Sequence, residues 1–394
     1  MDVMKSFSFV LPTRIEYGVG CISRIAGELS YLSSSKPLIV TDKGIVASGL
    51  LKKVTRPLDE AGITYDIFDE TAPNPRDENV HAGAAFARKM KCDCLVAVGG
   101  GSPIDCAKSM SIIATHGGVI QDFRGVEKIP GNTLPIITVP TTAGSGSEVT
   151  FSSVITDCEK KIKFSLRSVK IAAKVALCDP ELSVSMPKSI TAATGMDALT
   201  HAIEGFTSTC AEPVANAVAL YSIELVSKYI RRAVEDGSDI EARAGMLMGS
   251  LLGAISFSHS DVAAVHCIAE SLGGMYDKPH GVCNAMCLPI VMDYSKNHCI
   301  EKYARIAQAM GINYASEREG ADAAVAEIKK MSGDVGIPSF SSLGIPESEY
   351  REIAVKSHEN LSNDSNPRQL SVDDYLEILK RLKNSGERRV ATGG

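Results

Sequence analysis

The stretch CLVAVGGGSPIDCAKSMSIIATH, residues 94–116, decides the fold. It opens as a continuous apolar run, breaks on glycines 99–101, and continues with helical spacing. A strand apolar on both faces belongs in a parallel sheet covered on both sides. Working outward, PLIVTD (37–42), TYDIFDE (64–70) and LPIITVPTT (134–142) read as further strands, and VTFSSVITD (149–157) and VALCDP (175–180) hold short ones. NPRDENVHAGAAFARKM (74–90) reads as a helix with an acidic first turn. This alternation predicts a doubly wound α/β domain with a parallel sheet over residues 1–186.

From about residue 187 the strand signals stop. SITAATGMDALTHAIEGF (189–206), EPVANAVALYSIELVSKYIRRAVED (212–236) and EARAGMLMGSLLGAISF (241–257) all carry helical periodicity, which continues toward the C-terminus. An all-helical domain is expected over 187–394. The first residues, MDVMKSFSFVLPTRIEYG, read as a short extended arm, and the tail GERRVATGG is expected to fray.

A net charge of −6 without long like-charged blocks argues against nucleic acid or an anionic membrane as partner. No uninterrupted apolar run reaches the roughly 18 residues of a membrane span. The N-terminus lacks the features of a secretory signal, so a cytoplasmic protein with reduced thiols is expected. Eleven cysteines follow no disulfide-framework spacing. Cys92 and Cys94 are expected on opposite faces of the sheet, and Cys283 and Cys287 on one helix face. Buried cysteine as a small hydrophobe is the favoured reading of both pairs over a zinc site.

Two turns carry candidate chemistry in the first half. At Gly99-Gly100-Gly101-Ser102-Pro103, small residues let the backbone approach a pyrophosphate at a helix N-terminus. Pro103 suits the first turn, and Asp105 reads as a helix-start residue. The spacing is not G-x-G-x-x-G, so an ordinary Rossmann domain does not follow. The second turn, Thr141 to Ser147, also lies at the carboxyl end of an expected parallel strand, where open α/β sheets bind ligands. Asp42 either accepts hydrogen bonds from an adenosine ribose, favouring NAD over NADP, or caps the next helix. In the second half, Asp197 and His201 lie four apart on one helix face. His266 and His280 follow in the same helical region, but spacing alone does not bring them to the pair.

Taken together, DKG (42–44), PNP (73–75), GGGSPIDCAK (99–108), TTAGSGSEVT (141–150), TGMDALTHAIE (194–204) and PHG (279–281) resemble the iron-containing (group III) alcohol dehydrogenases. The resemblance spans nearly the whole chain. It implies a nucleotide domain followed by an all-α, dehydroquinate synthase-like metal domain, with substrate in the cleft between them. It implies metal ligands Asp197, His201, His266 and His280, for Fe²⁺, Zn²⁺ or another divalent ion. It also implies NAD contacts at Asp42, Asn74, Gly100, Gly101, Ser102, Thr141, Thr142, Ser145 and Lys163, and places Phe257 beside nicotinamide and substrate. The activity implied is hydride transfer between NAD and a primary alcohol or aldehyde, and relatives are often dimers or larger.

The sequence departs from that family at two places. Glu270 stands where many relatives carry a second histidine, and reads as an acid/base, an extra ligand, or an acceptor for an imidazole N–H. His259 stands where relatives often carry asparagine. With Ser258 and Ser260 it suggests a small polar substrate such as sulfoacetaldehyde or lactaldehyde. A metal-dependent polyol dehydrogenase or dehydroquinate-synthase-like lyase is the rival enzyme reading; an NAD-binding sensor or scaffold is the non-enzyme one.

Overall fold

The computed structural model describes residues 4–391, with side chains through 385. Residues 1–3 of the arm and 392–394 of the tail lie outside the described residues, as do the side chains of the expected frayed segment. The chain divides into two compact units: Val10–Met186 with Ser238–Leu247, and Met1–Phe9 with Pro187–Gly237 and Met248–Gly394.

The first unit is built on nine strands: β1 (Arg14–Tyr17), β2 (Pro37–Val40), β3 (Asp66–Phe68), β4 (Cys94–Gly99), β5 (Gly125–Val126), β6 (Ile136–Pro140), β7 (Ser152–Asp157), β8 (Ile162–Arg167) and β9 (Val175–Cys178). Six form an all-parallel sheet in the order β1-β9-β6-β4-β2-β3. The continuous apolar run of β4 takes a central place because both its faces are covered. Leu95 and Ala97 enter one core with Leu38, Val40 and Ile136. Val96 and Val98 enter the other with Ile39, Ile137 and Val139. Cys92 and Cys94 do fall into opposite cores, though not through strand alternation, since residues two apart in a strand share a face. Cys92 precedes β4 and joins the core cluster that holds Val80, Ala84 and Ala87 of the helix Asp77–Met90.

The small second sheet, β5-β8-β7, has β7 and β8 paired antiparallel. Asp157 turns the hairpin by accepting from Lys160 N at 2.9 Å. Sequence periodicity missed β8 because IKFSLR is only half-buried, and took β1 for an arm because it is a four-residue edge strand.

After β9 the described residues contain no strand. The helix Lys188–Thr207 is buried on most of its circumference. Pro213–Glu235 follows, started by Pro213 and capped by Glu212, whose carboxylate accepts from Val214 N and Ala215 N. Ile240–Ser260, Ala264–Tyr276 and His280–Ser295 complete the set relevant to the site. Ile240–Ser260 is long and apolar enough by composition to cross a membrane, but 61% of its apolar window is buried within the protein, as in a core helix. All eleven cysteines are free.

Candidate metal and nucleotide sites

In the helical unit, Asp197, His201, His266 and His280 converge. One potential ligand atom from each lies within 4.8 Å of all the others, and the first three residues are buried. Asp197 and His201 share a face of Lys188–Thr207. His280 is the first residue of its helix, and Gly281 brings it close: a Cβ there would lie 2.8 Å from the Ala193 carbonyl oxygen. The His201 ring stacks on Phe257 at 4.4 Å and lies 4.6 Å from that of His266.

The donor chemistry fits a divalent cation. A carboxylate and three imidazoles suit iron or zinc. Burial alone raises the Asp197 pKa, but the imidazoles of His201, His280 and His266 and the Asn284 amide outweigh it and hold the carboxyl below its ordinary range. Burial likewise opposes charge on His266, while Glu204, Asp197 and Glu270 together raise its pKa. Asp197, Glu204 and Glu270 thus place negative potential on the buried His266 imidazole, a setting that favours a nearby cation.

Two neighbours escaped the sequence reading. Asn284 Nδ2 donates to Asp197 Oδ1 at 2.6 Å and lies 3.0 Å from His266 Nε2 and 3.2 Å from His280 Nε2. Glu204 accepts from His266 Nδ1 at 2.6 Å. Its signal was available in D-x3-H-x2-E, which puts 197, 201 and 204 on one helical face.

The two departures from the family pattern lie differently. Glu270 Oε2 accepts from Asn360 Nδ2 at 2.7 Å. His259 stacks on Phe9 of the arm at 4.1 Å, and its Nδ1 is 2.8 Å from Ile255 O. Ser258 Oγ donates to Ala254 O and Ser260 Oγ to Ser256 O, so both hydroxyls turn back onto their own helix. The polar wall expected from FSHSD is thus reduced.

In the α/β unit the turns at Gly99–Pro103 and Thr141–Ser147 lie against each other. Gly100 caps the helix Gly101–His116. A Cβ on Gly100 would sit 3.1 Å from Thr142 Oγ1, and one on Gly101 2.8 Å from Ser145 Oγ. This close approach accounts for glycine at both positions, with Ser102 beside them at the second helical residue and Thr141 buried. Lys163 Nζ donates to Asn74 Oδ1 at 2.7 Å, joining two residues far apart in sequence. Asp42 caps the helix Lys43–Ala47, accepting from Ile45 N at 2.9 Å.

Asp105 is not a helix-start residue. Its half-buried carboxylate accepts from Ser147 Oγ at 2.5 Å and Val154 N at 2.9 Å. Lys108, fully buried, directs Nζ at Ser147 O and Oγ, Thr150 O and Oγ1, and Ser152 O, all within 3.0 Å. Together they clamp the segment after the second turn to the helix after the first.

Residues 12–180 match the family described as iron-containing alcohol dehydrogenase, and residues 191–383 its C-terminal domain. The chain belongs to the iron-containing alcohol dehydrogenase family. It is 40% identical to a 1,3-propanediol dehydrogenase of Klebsiella pneumoniae over 96% of this chain and 99% of that protein. A crystal structure of 1,3-propanediol oxidoreductase superposes with a TM-score of 0.93 at 40% identity, covering 96% of this chain and all of the other. The sulfoacetaldehyde reductase of Bifidobacterium kashiwanohense in complex with NAD⁺ matches with a TM-score of 0.86 at 28% identity, covering 96% and 99%. Membership makes the chain an iron-type alcohol dehydrogenase, with a parallel-sheet domain before an all-helical one.

Proposed function

We propose that this enzyme interconverts a short polar aldehyde and its primary alcohol, using Asp197, His201, His266 and His280 to hold the metal. The observation that carries this reading is the convergence of that quartet in the helical unit. A divalent ion held there supplies Lewis acidity toward the substrate oxygen. Phe257, stacked on His201, forms an apolar wall beside the reacting carbon. The glycine turn and the Thr141, Thr142 and Ser145 turn receive the NAD pyrophosphate, with Ser102, Asn74 and Lys163 contributing polar contacts. Asp42 favours NAD by repelling a 2′-phosphate. His259, held by Phe9, bounds the substrate. A homo-oligomer in the cytoplasm completes the reading, supported by the exposed arm residues Phe7, Val10 and Leu11 and by the free thiols.

Similarity to a 1,3-propanediol dehydrogenase and a sulfoacetaldehyde reductase supports a small hydroxylated or sulfonated substrate, lactaldehyde and sulfoacetaldehyde included. Kinetics with NADH over matched alkyl, hydroxyl and sulfonate aldehydes test this. A higher kcat/KM for the polar members is expected; preference for long alkyl chains refutes the substrate class.

Glu270 lies one helical turn after His266 and is oriented by Asn360. We assign it the proton exchanged with the substrate oxygen. Glu270→Gln is expected to lower kcat by about 10²-fold or more and to remove one limb of the pH–rate profile. An unchanged profile takes Glu270 out of the proton path.

A further inference from the structure

We infer that Glu204 is the positioning residue of the metal site, fixing the tautomer of His266 while anchoring the helix that carries it. The inference rests on the quartet reading and goes beyond it, because Glu204 is not itself one of the four.

Three donors meet this one carboxylate. Oε2 accepts from Ala263 N at 2.9 Å and from His266 Nδ1 at 2.6 Å, and Oε1 accepts from Val265 N at 2.7 Å. All three belong to the start of Ala264–Tyr276, a helix whose own N-cap residue, Ala263, offers no capping side chain. A buried carboxylate there satisfies amides that otherwise lack partners, and its charge complements the helix dipole. Glu204 thus caps a helix from outside it.

The same contact decides the imidazole. Both Glu204 oxygens already accept from backbone amides, so the carboxylate faces the imidazole as an acceptor, with the His266 proton on Nδ1 and the lone pair on Nε2. An independent contact agrees. Asn284 Nδ2 is fixed as a donor by Asp197 Oδ1, and it lies 3.0 Å from His266 Nε2, which must then accept. The Nε2 lone pair is the form a metal requires. One helix, Lys188–Thr207, therefore supplies Asp197 and His201 and also aims His266.

Cobalt(II) binding to chelator-stripped, full-length enzyme tests this, read by titration and by the d–d spectrum of the bound ion. Glu204→Ala is expected to weaken Co²⁺ affinity by about 10- to 100-fold and to alter the spectrum. Glu204→Gln should fall between, since one neutral oxygen still accepts, and it serves as the test where the alanine variant fails to fold. In a His266→Ala background, Glu204→Ala should cause no further loss of affinity, because the aimed ligand is gone. Unchanged affinity and spectrum in both single variants overturn the inference. So does an equal loss with and without His266, which marks helix packing alone. A wild-type enzyme that binds no Co²⁺ overturns the quartet reading, and this inference with it.

Discussion

Alanine at position 280 is expected to lower kcat for aldehyde reduction at least about 10³-fold while leaving the metal-free protein close to wild-type stability. The first half follows from the size of the effect at stake. Lewis-acid stabilisation of developing oxygen charge is worth several kcal/mol, and each 1.36 kcal/mol is tenfold in rate. The second half follows from placement. The His280 side chain is 29% exposed and opens its helix, so its loss leaves no cavity in the core. Its Nε2 lies 3.8 Å from Asp197 Oδ1. Chelator treatment of wild-type enzyme should reproduce the loss, and added Fe²⁺ or Zn²⁺ should restore wild type but not the variant. Steady-state NADH oxidation and a thermal melt of the metal-free proteins check both halves. A variant with near-wild-type kcat contradicts the assignment of His280.

Lys108→Met should be the most destabilising single change in the nucleotide unit, costing about 3–5 kcal/mol. Methionine matches the stem in volume but leaves the buried Glu148 and the half-buried Asp105 without a neighbouring cation, and five oxygens without their shared donor. Urea unfolding at neutral pH measures the loss, and weaker NAD binding should accompany it because the second turn loses its anchor. A pH signature separates this charge from simple packing. Burial lowers the Lys108 pKa to about 8 from its ordinary 10.5, against Asp105 and Glu148, which raise it. Between about 8 and 10.5 the unfolded chain holds a proton that the folded chain has released. The unfolded state binds more protons there, so this group makes stability rise with pH across that window. In the methionine variant that rise should vanish. A variant with wild-type stability and the same pH slope contradicts the clamp.

Much of the fold was legible because its signals are strong and local. The apolar run of β4, the glycines that end it and the helix after them needed only periodicity to be read. β8 was not legible, since IKFSLR is half-buried and pairs only with its neighbours in a three-stranded sheet. The site divides in the same way. Asp197 and His201 are one helical turn apart, so spacing alone puts them on one face. His266 and His280 sit on separate helices, and their convergence depends on packing that spacing does not encode. Gly281 shows why: its value lies in the approach of the Ala193 carbonyl, contributed from 88 positions earlier in the chain. Asp105 misled for a related reason. An acidic residue near a helix start suggests a cap, whereas here the carboxylate answers Val154 N from a strand far along the chain. Ser258 and Ser260 misled through local chemistry, because their hydroxyls satisfy their own helix instead of facing a ligand.

The proposed mechanism requires one divalent ion held by Asp197, His201, His266 and His280. It is tested most directly on enzyme purified anaerobically, stripped with chelator, and titrated with Fe²⁺ while NADH oxidation is followed with a short polar aldehyde. Negligible rate is expected in the stripped enzyme, with a linear recovery that saturates at one equivalent of metal per chain. Full activity in enzyme verified to be metal-free would contradict it.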